Sequence, residues 1–293
     1  MYPVSFEYLA PTGINEAIEF LSLYGDDAKL LAGGQSLVPM MKLRVARPKY
    51  LIDIHRLAEL NYIREEAGTV RLGAMTRHVQ IEESPLIGER LPMLREAASE
   101  IGDVQVRNRG TIGGGLVEAD PCGDYGAVVL ALNAQIKCAS PRGERTISAS
   151  EFFAFAYTTT LEPDEILTEI GFPLPAKGSA GVYLKLEKVA GDFAIASAAV
   201  QLSLDTNGAC NEIGIGVTGG GTVPQKGSAV ETLLRGKKIT RALIDEAGQL
   251  VQEGAEPIED LRGSASYKKK ALSAMLRRAI AESLRRAESK RSS

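Results

Sequence analysis

The sequence predicts a fold of mixed helices and strands in two domains, the first divided into two lobes. Three observations lead there. The chain has 293 residues, more than one small module at roughly 100–200 residues per domain. Apolar residues recur at strand spacing in some stretches and at helix spacing in others. Pro and Gly cluster in Pro173-Leu174-Pro175-Ala176-Lys177-Gly178-Ser179 and interrupt both periods. That cluster sets a boundary between residues 1–177 and 178–293, with lobes in the first part at 1–55 and 56–177.

In the first lobe, Pro11-Thr12 opens a helix with Ile14, Ala17, Ile18 and Leu21 on one face. Gly25 closes it, because glycine accepts the left-handed conformation that follows a helix end. Lys29 to Ala32 is a short apolar strand, Gly33 to Ser36 a loop, and Tyr50 to Ile54 a second strand, an order compatible with an α/β or an α+β lobe. In the second lobe, Thr69 to Ala74 reads as a strand, and Leu91, Leu94, Ala97, Ala98 and Ile101 keep helical spacing. Asn108-Arg109-Gly110 reads as a turn and Thr111 to Gly115 as a glycine loop; Asp124 to Asn133 is a buried helix and Gln135 to Ala139 a strand. The last part reads as a separate α+β domain. Its strands are Val182 to Leu186, Ala196 to Leu204 and Ile213 to Thr218, and its helices span 240–253 and 264–286. In the final helix Leu272, Leu276, Ile280 and Leu284 form a ridge, and a polar tail follows from Glu288.

Composition excludes several classes. With 34 Lys+Arg against 37 Asp+Glu the net charge is −3, which argues against nucleic-acid binding and a polybasic membrane anchor. No 18-residue apolar run occurs, so no integral membrane segment is expected, and Met1 to Ala10 lacks the basic and apolar regions of a signal peptide. Cys122, Cys138 and Cys210 form no CxxC, which points to a reducing, cytoplasmic setting. Three cysteines are also one short of a Cys-ligated iron–sulfur cluster. Two histidines, His55 and His78, leave little material for a metal site or a His-based triad, so no metal ligands and no catalytic acid–base pair are expected.

Two glycine segments carry the chemistry. Ala32-Gly33-Gly34-Gln35-Ser36 follows a strand, and Thr111-Ile112-Gly113-Gly114-Gly115 lies about eighty residues on. Glycine reaches positive φ cheaply and has no Cβ to block a phosphate, so successive N–H groups can converge on an anion, with Ser36 and Thr111 adding hydroxyls. A pair of plain tight turns is the competing reading. Asp120 and Asp124 follow the second segment, as ribose acceptors or, for Asp120, as a helix cap. Arg107 and Arg109 precede it, as phosphate-side charges or as surface charges. Lys185, Lys188, Asp192 and Phe193 group at the head of the second domain, near a cofactor ring or on a surface hairpin. Gly214 to Gly219 matches GxGxxG, but Pro224 follows where a dinucleotide fold needs a helix, so a glycine-rich strand is the better reading.

The order of LLAGGQSLVPMMKLR (30–44), QVRNRGTIGGGLVEADPCGDYGAVVLAL (105–132), LEPDEILTEI (161–170), YLKLEKVAGDFAIASAA (183–199) and SASYKKKALSAMLRRAI (264–280) resembles the FAD-binding subunit of the molybdenum hydroxylases, over nearly the whole chain. That family includes carbon monoxide dehydrogenase medium subunits and the xanthine dehydrogenase flavin domain. The resemblance implies an α+β protein: a two-lobed FAD-binding domain of the vanillyl-alcohol-oxidase type, then a small α+β flavoprotein domain. It implies FAD contacts at Leu30, Leu31, Ala32, Gly33, Gly34, Gln35, Ser36 and Leu37, and at Thr111, Ile112, Gly113, Gly114 and Gly115. Ile101, Asp120, Asp124 and the apolar Leu167 join them, with Lys185, Asp192 and Phe193 near the isoalloxazine. Gln35 stands where the family commonly has His, and Gly115 where it commonly has Asn.

The function implied is electron transfer. A large partner subunit holds the molybdopterin cofactor, a small one holds [2Fe–2S] clusters, and FAD collects their electrons for an external acceptor, in a dimer of heterotrimers (a heterohexamer). A stand-alone phosphate-ligand or nucleotide binder without redox partners is the alternative, and a nicotinamide-dependent dehydrogenase using Gly214 to Gly219 a third.

Overall fold

The structure, a computed structural model, describes residues 2–292. The first lobe runs β1 (Glu7–Leu9), α1 (Ile14–Tyr24), β2 (Ala28–Leu31), α2 (Leu37–Lys42) and β3 (Tyr50–Asp53). Its strands form a three-stranded parallel sheet in the order β1-β3-β2. α1 buries Ala17, Ile18 and Leu21, the predicted face. It ends at Gly25, whose φ of 48° is positive as expected but whose ψ of −129° lies outside the left-handed helical region; its N–H donates to the Leu21 carbonyl. β1, of three residues, and α2, of six with Pro39 inside it, are too short to be read from sequence.

The second lobe opens with β4 (Ile63–Glu66) and β5 (Thr69–Gly73). A run of helices follows: α3 (His78–Glu83), α4 (Pro85–Arg90), α5 (Pro92–Ser99), α6 (Val104–Arg109), α7 (Ile112–Glu118) and α8 (Asp124–Ala131). Then come β6 (Gln135–Ser140), β7 (Gly143–Ser148), α9 (Ala149–Phe152), the small pair β8 (Phe153–Phe155) and β9 (Thr158–Thr159), and β10 (Ile166–Pro173). An antiparallel sheet in the order β4-β5-β10-β6-β7 backs these helices. α8 is buried at every position from Asp124 to Ala131, because it lies between this sheet's core and the third sheet.

The third sheet, β11 (Ala180–Leu186), β12 (Ala196–Leu204), β13 (Cys210–Thr218) and β14 (Gln225–Lys226), is antiparallel in chain order. α10 (Ser228–Leu234), α11 (Arg241–Gly254) and α12 (Ala265–Ser292) follow. Strand alternation sends the two faces to different cores. Val182, Ala198 and Val200 pack with the α12 ridge of Leu272, Leu276 and Ile280. Tyr183 and Ala199 join the second lobe's core, against α5 and α8. A Cβ on Gly214 would overlap the Ala131 carbonyl and one on Gly216 that of Ala127, so the GxGxxG run is a strand stripped of side chains where α8 lies on it, ending in a turn at Gly219 (φ 79°).

Two expectations change. The tail from Glu288 is helical, continuing α12 to Ser292. Asn108 and Arg109 end helix α6 and do not form a turn. Two basic residues of α12 tie it to other helices: Arg286 reaches Glu96 of α5 at 2.6 Å, and Arg277 reaches Asp245 of α11 at 3.2 Å. Among the described residues no helix is long and apolar enough to cross a membrane.

Candidate functional site

The two glycine segments meet in space. A Cβ on Gly33 would overlap the Arg109 carbonyl and come within 2.6 Å of the Gly110 Cα, so residues 32–36 lie directly against the α6–α7 junction. Ala32 is the next neighbour of Gly114. The first segment is the open one. No acceptor among the described residues takes the N–H groups of Gly33, Gly34, Gln35 and Ser36. Gly34 holds φ 74°, which turns the chain so that these donors lie along one short loop. Gln35 Nε2 donates to the Gly33 carbonyl at 3.1 Å. A run of free amides from a positive-φ turn is a nest, suited to a phosphate or another anion.

The second segment departs from the expectation. Thr111 to Gly115 is not a loop: Thr111 is the N-cap of α7 and the three glycines form its first turn. None of the three has positive φ. Their amides, with that of Ile112, are engaged: Ile112 N–H donates to the Thr76 carbonyl, Gly113 to Ala74, Gly114 to Thr111 Oγ1 at 3.1 Å, and Gly115 to the Thr111 carbonyl. Gly113 and Gly114 are there for close approach. A Cβ on Gly113 would sit 2.6 Å from the Ala74 carbonyl oxygen, and one on Gly114 2.9 Å from Thr111 Oγ1. Gly115 has room, with Tyr125 Cδ2 at 3.6 Å. This segment therefore offers a ligand a flat surface and the Thr111 hydroxyl hydrogen, not free amides.

Beneath it lies a buried imidazole. His78, 5% exposed, shares a hydrogen bond with the Tyr125 hydroxyl through Nδ1 at 3.0 Å, and its backbone N–H donates to the Gly110 carbonyl. Burial, aided by the Arg107 charge, pushes its pKa down to about 4, so the ring is neutral at pH 7. Arg107 pairs with Glu82 at 2.8 Å and donates to the Ile101 and Gly102 carbonyls, so its charge is already engaged within the protein.

α7 leads away from this junction, and at 1.5 Å per residue its seven residues span about 10 Å. At its far end Ala119 takes φ 51°, and Asp120 Oδ1 accepts from the Cys122 N–H. Asp120 thus builds a turn and does not cap α8, whose N-cap is Gly123. Burial raises the Asp120 pKa. Asp124 is buried and accepts from the Tyr183 hydroxyl at 2.6 Å and the Lys185 ammonium at 3.2 Å. Burial pushes its pKa up to about 6, against the pull of Lys185 and Tyr183. The Lys185 side chain is 1% exposed, and also meets Glu187 at 3.1 Å and the Glu100 carbonyl at 2.9 Å. It is no surface-hairpin lysine.

Lys185 and Asp192 share this end of the site without pairing to each other. Asp192 takes Arg262 at 3.1 Å, and that guanidinium holds its carboxyl below the usual range. Phe193 is 40% exposed. Gly191, at φ 83°, seats the Asp192 loop against Gly102, next to Ile101. Leu167 lies apart, buried in β10 opposite Cys138. Leu30 and Leu31 end β2, and Leu37 starts α2, flanking the open loop. Tyr183, Glu187 and Arg262 escaped sequence reading: the first two lie in a strand or its end, and Arg262 is a lone arginine in a loop.

The chain is therefore built as a ligand-binding protein with an anion nest at one end of α7 and a buried charged network at the other. Residues 4–175 match the family model for the FAD binding domain in molybdopterin dehydrogenase, and 182–283 the model for the CO dehydrogenase flavoprotein C-terminal domain. The chain belongs to this family of FAD-binding medium subunits of oxidoreductases. It is 43% identical over 280 residues to the carbon monoxide dehydrogenase medium chain of Hydrogenophaga pseudoflava, covering 96% of this chain and 97% of that one. It is 38% identical to the glyceraldehyde dehydrogenase medium chain of Sulfolobus acidocaldarius, over 96% and 99%. Its structure matches carbon monoxide dehydrogenase from H. pseudoflava with a TM-score of 0.96 over 98% of this chain and 99% of that chain. It matches quinoline 2-oxidoreductase from Pseudomonas putida 86 with a TM-score of 0.92 at 31% identity, over 98% and 99%.

Proposed function

We propose that this chain is the FAD-carrying electron-transfer subunit of a molybdenum-containing dehydrogenase. It takes electrons from the [2Fe–2S] clusters of a small partner subunit and passes them to an external acceptor. A large molybdopterin-binding subunit completes a heterotrimer, two of which form the heterohexamer. Bound FAD supplies one- and two-electron redox chemistry, and the chain supplies position and charge. Residues 1–177 form the FAD-binding domain and 178–293 the C-terminal flavoprotein domain. The three free thiols support a cytoplasmic setting.

The observation that carries this reading is the run of unengaged amides at Gly33 to Ser36, against the α6–α7 junction, in a chain of this family. These groups fit the diphosphate of FAD. Leu30, Leu31, Ala32 and Leu37 shape that end, and Ile112, Gly113, Gly114 and Gly115 give it a close wall with the Thr111 hydroxyl. At the other end, Asp120, Asp192 and Phe193 would line the ribityl chain and ring, with the buried Asp124–Lys185 pair behind them, Ile101 closing one side and Leu167 set further back in the core. The chain should purify yellow or take up added FAD stoichiometrically, and release FAD on denaturation. A colourless chain that binds no FAD would reject the proposal. The electron path is tested by mixing the reduced iron–sulfur partner with the FAD-loaded chain and following flavin bleaching; no bleaching would reject that part.

A further inference from the structure

We infer that Arg262, carried by the connection between α11 and α12, is a positioning residue of the flavin end of the site: it fixes the pose and the charge of Asp192 and Phe193. The inference rests on the FAD reading above and adds a segment that lies far from both glycine loops in sequence.

Four observations converge on it. The Arg262 guanidinium donates to Asp192 Oδ1 at 3.1 Å. Its central carbon stands 5.6 Å from the Phe193 ring centroid, within cation–π range. One side chain from the C-terminal end of the fold thus holds two adjacent residues of the β11–β12 loop. Its Nε is buried and has no acceptor among the described residues, so one donor stays in reserve on the same side chain. Finally, the turn that presents it is pinned. Asp260 and Gly263 bond each other's backbones, Asp260 Oδ1 accepts from the Arg262 N–H at 2.8 Å, and the buried Lys268 binds Asp260 at 2.7 Å and the Ile258 carbonyl at 2.8 Å. A side chain on so fixed a turn is pre-organised.

The charge balance gives the expected direction. Without Arg262, Asp192 keeps its negative charge and loses its cation, with Lys185 already held by Asp124 and Glu187. The charge beside the ring becomes more negative by one, and adding electrons there becomes harder. The loop also loses its anchor, so Phe193 is freed.

The test uses the full chain, loaded with FAD, as Arg262→Met and Arg262→Lys. Arg262→Met should bind FAD about tenfold more weakly, the size of one charge-assisted hydrogen bond, and its flavin midpoint potential should fall. Arg262→Lys keeps the charge without the planar fork; its potential should return toward the parent value while its affinity recovers only in part. Unchanged affinity and potential in Arg262→Met, in a parent chain that does bind FAD, would overturn the inference and leave the FAD reading standing. Equal potentials in the Met and Lys variants would overturn it too, since a merely structural role does not discriminate by charge. A parent chain that binds no FAD would end both.

Discussion

Replacing His78 by Gln should flatten the acid sensitivity of folding. His78 is buried and neutral, with its folded pKa near 4 against 6.5 for an ordinary histidine. In the unfolded chain the imidazole takes up a proton at the higher pH. The folded state therefore loses stability as pH falls from about 6.5 toward 4, and regains it above that window. At 1.36 kcal/mol per pKa unit, the loss between pH 7 and pH 5 is about 2 kcal/mol and approaches about 3 kcal/mol near pH 4. Asp124 works in the opposite direction: its raised pKa costs stability as pH rises from its unfolded value of 3.8 to about 6. Asp124 is present in both chains, so it cancels in a difference between parent and variant. The assay is equilibrium urea unfolding of the flavin-free parent and of His78→Gln at pH 7 and pH 5. The parent should lose about 2 kcal/mol more than the variant. Parallel losses would show that His78 is protonated or solvated in the folded state, and the burial argument would fall.

Glycine substitutions separate the two segments. Gly33→Ala sets a Cβ into the Arg109 carbonyl, where backbone cannot step aside, so the flavin-to-protein ratio should fall well below the parent's, at a stability cost of about 1–3 kcal/mol. Gly115→Ala meets nothing closer than Tyr125 Cδ2 at 3.6 Å and should keep its flavin; equal ratios in the two variants would contradict the close-approach account. Gly216→Ala pushes β13 away from α8 and should lower the thermal midpoint by roughly 3 °C or more. An unchanged midpoint in that variant would show that the strand does not need its bare surface there.

The bend of the first glycine segment was legible because its restraints are local. Gly33 and Gly34 follow an apolar strand, and only small residues fit such a bend. Gly214 to Gly219 was separable from a dinucleotide fingerprint because Pro224 forbids the required helix. The second segment misled for an energetic reason. Glycine costs about 1 kcal/mol in a helix, so three in a row read as a loop. The Thr111 cap and the packing of Gly113 on Ala74 override that cost, and neither shows in local sequence. The buried fate of Lys185 was hidden for a similar reason: its partners Asp124 and Glu100 lie 61 and 85 residues away. Arg262 had no periodic or motif signal, since its partners arrive only through the tertiary fold.

The third sheet lends one side to each half of the molecule, so neither half seals its own interior. A chain cut near residue 177 would leave α5 and α8 with a bare greasy flank on one fragment, and Tyr183 and Ala199 facing water on the other. Such pieces would clump unless made together and allowed to re-associate.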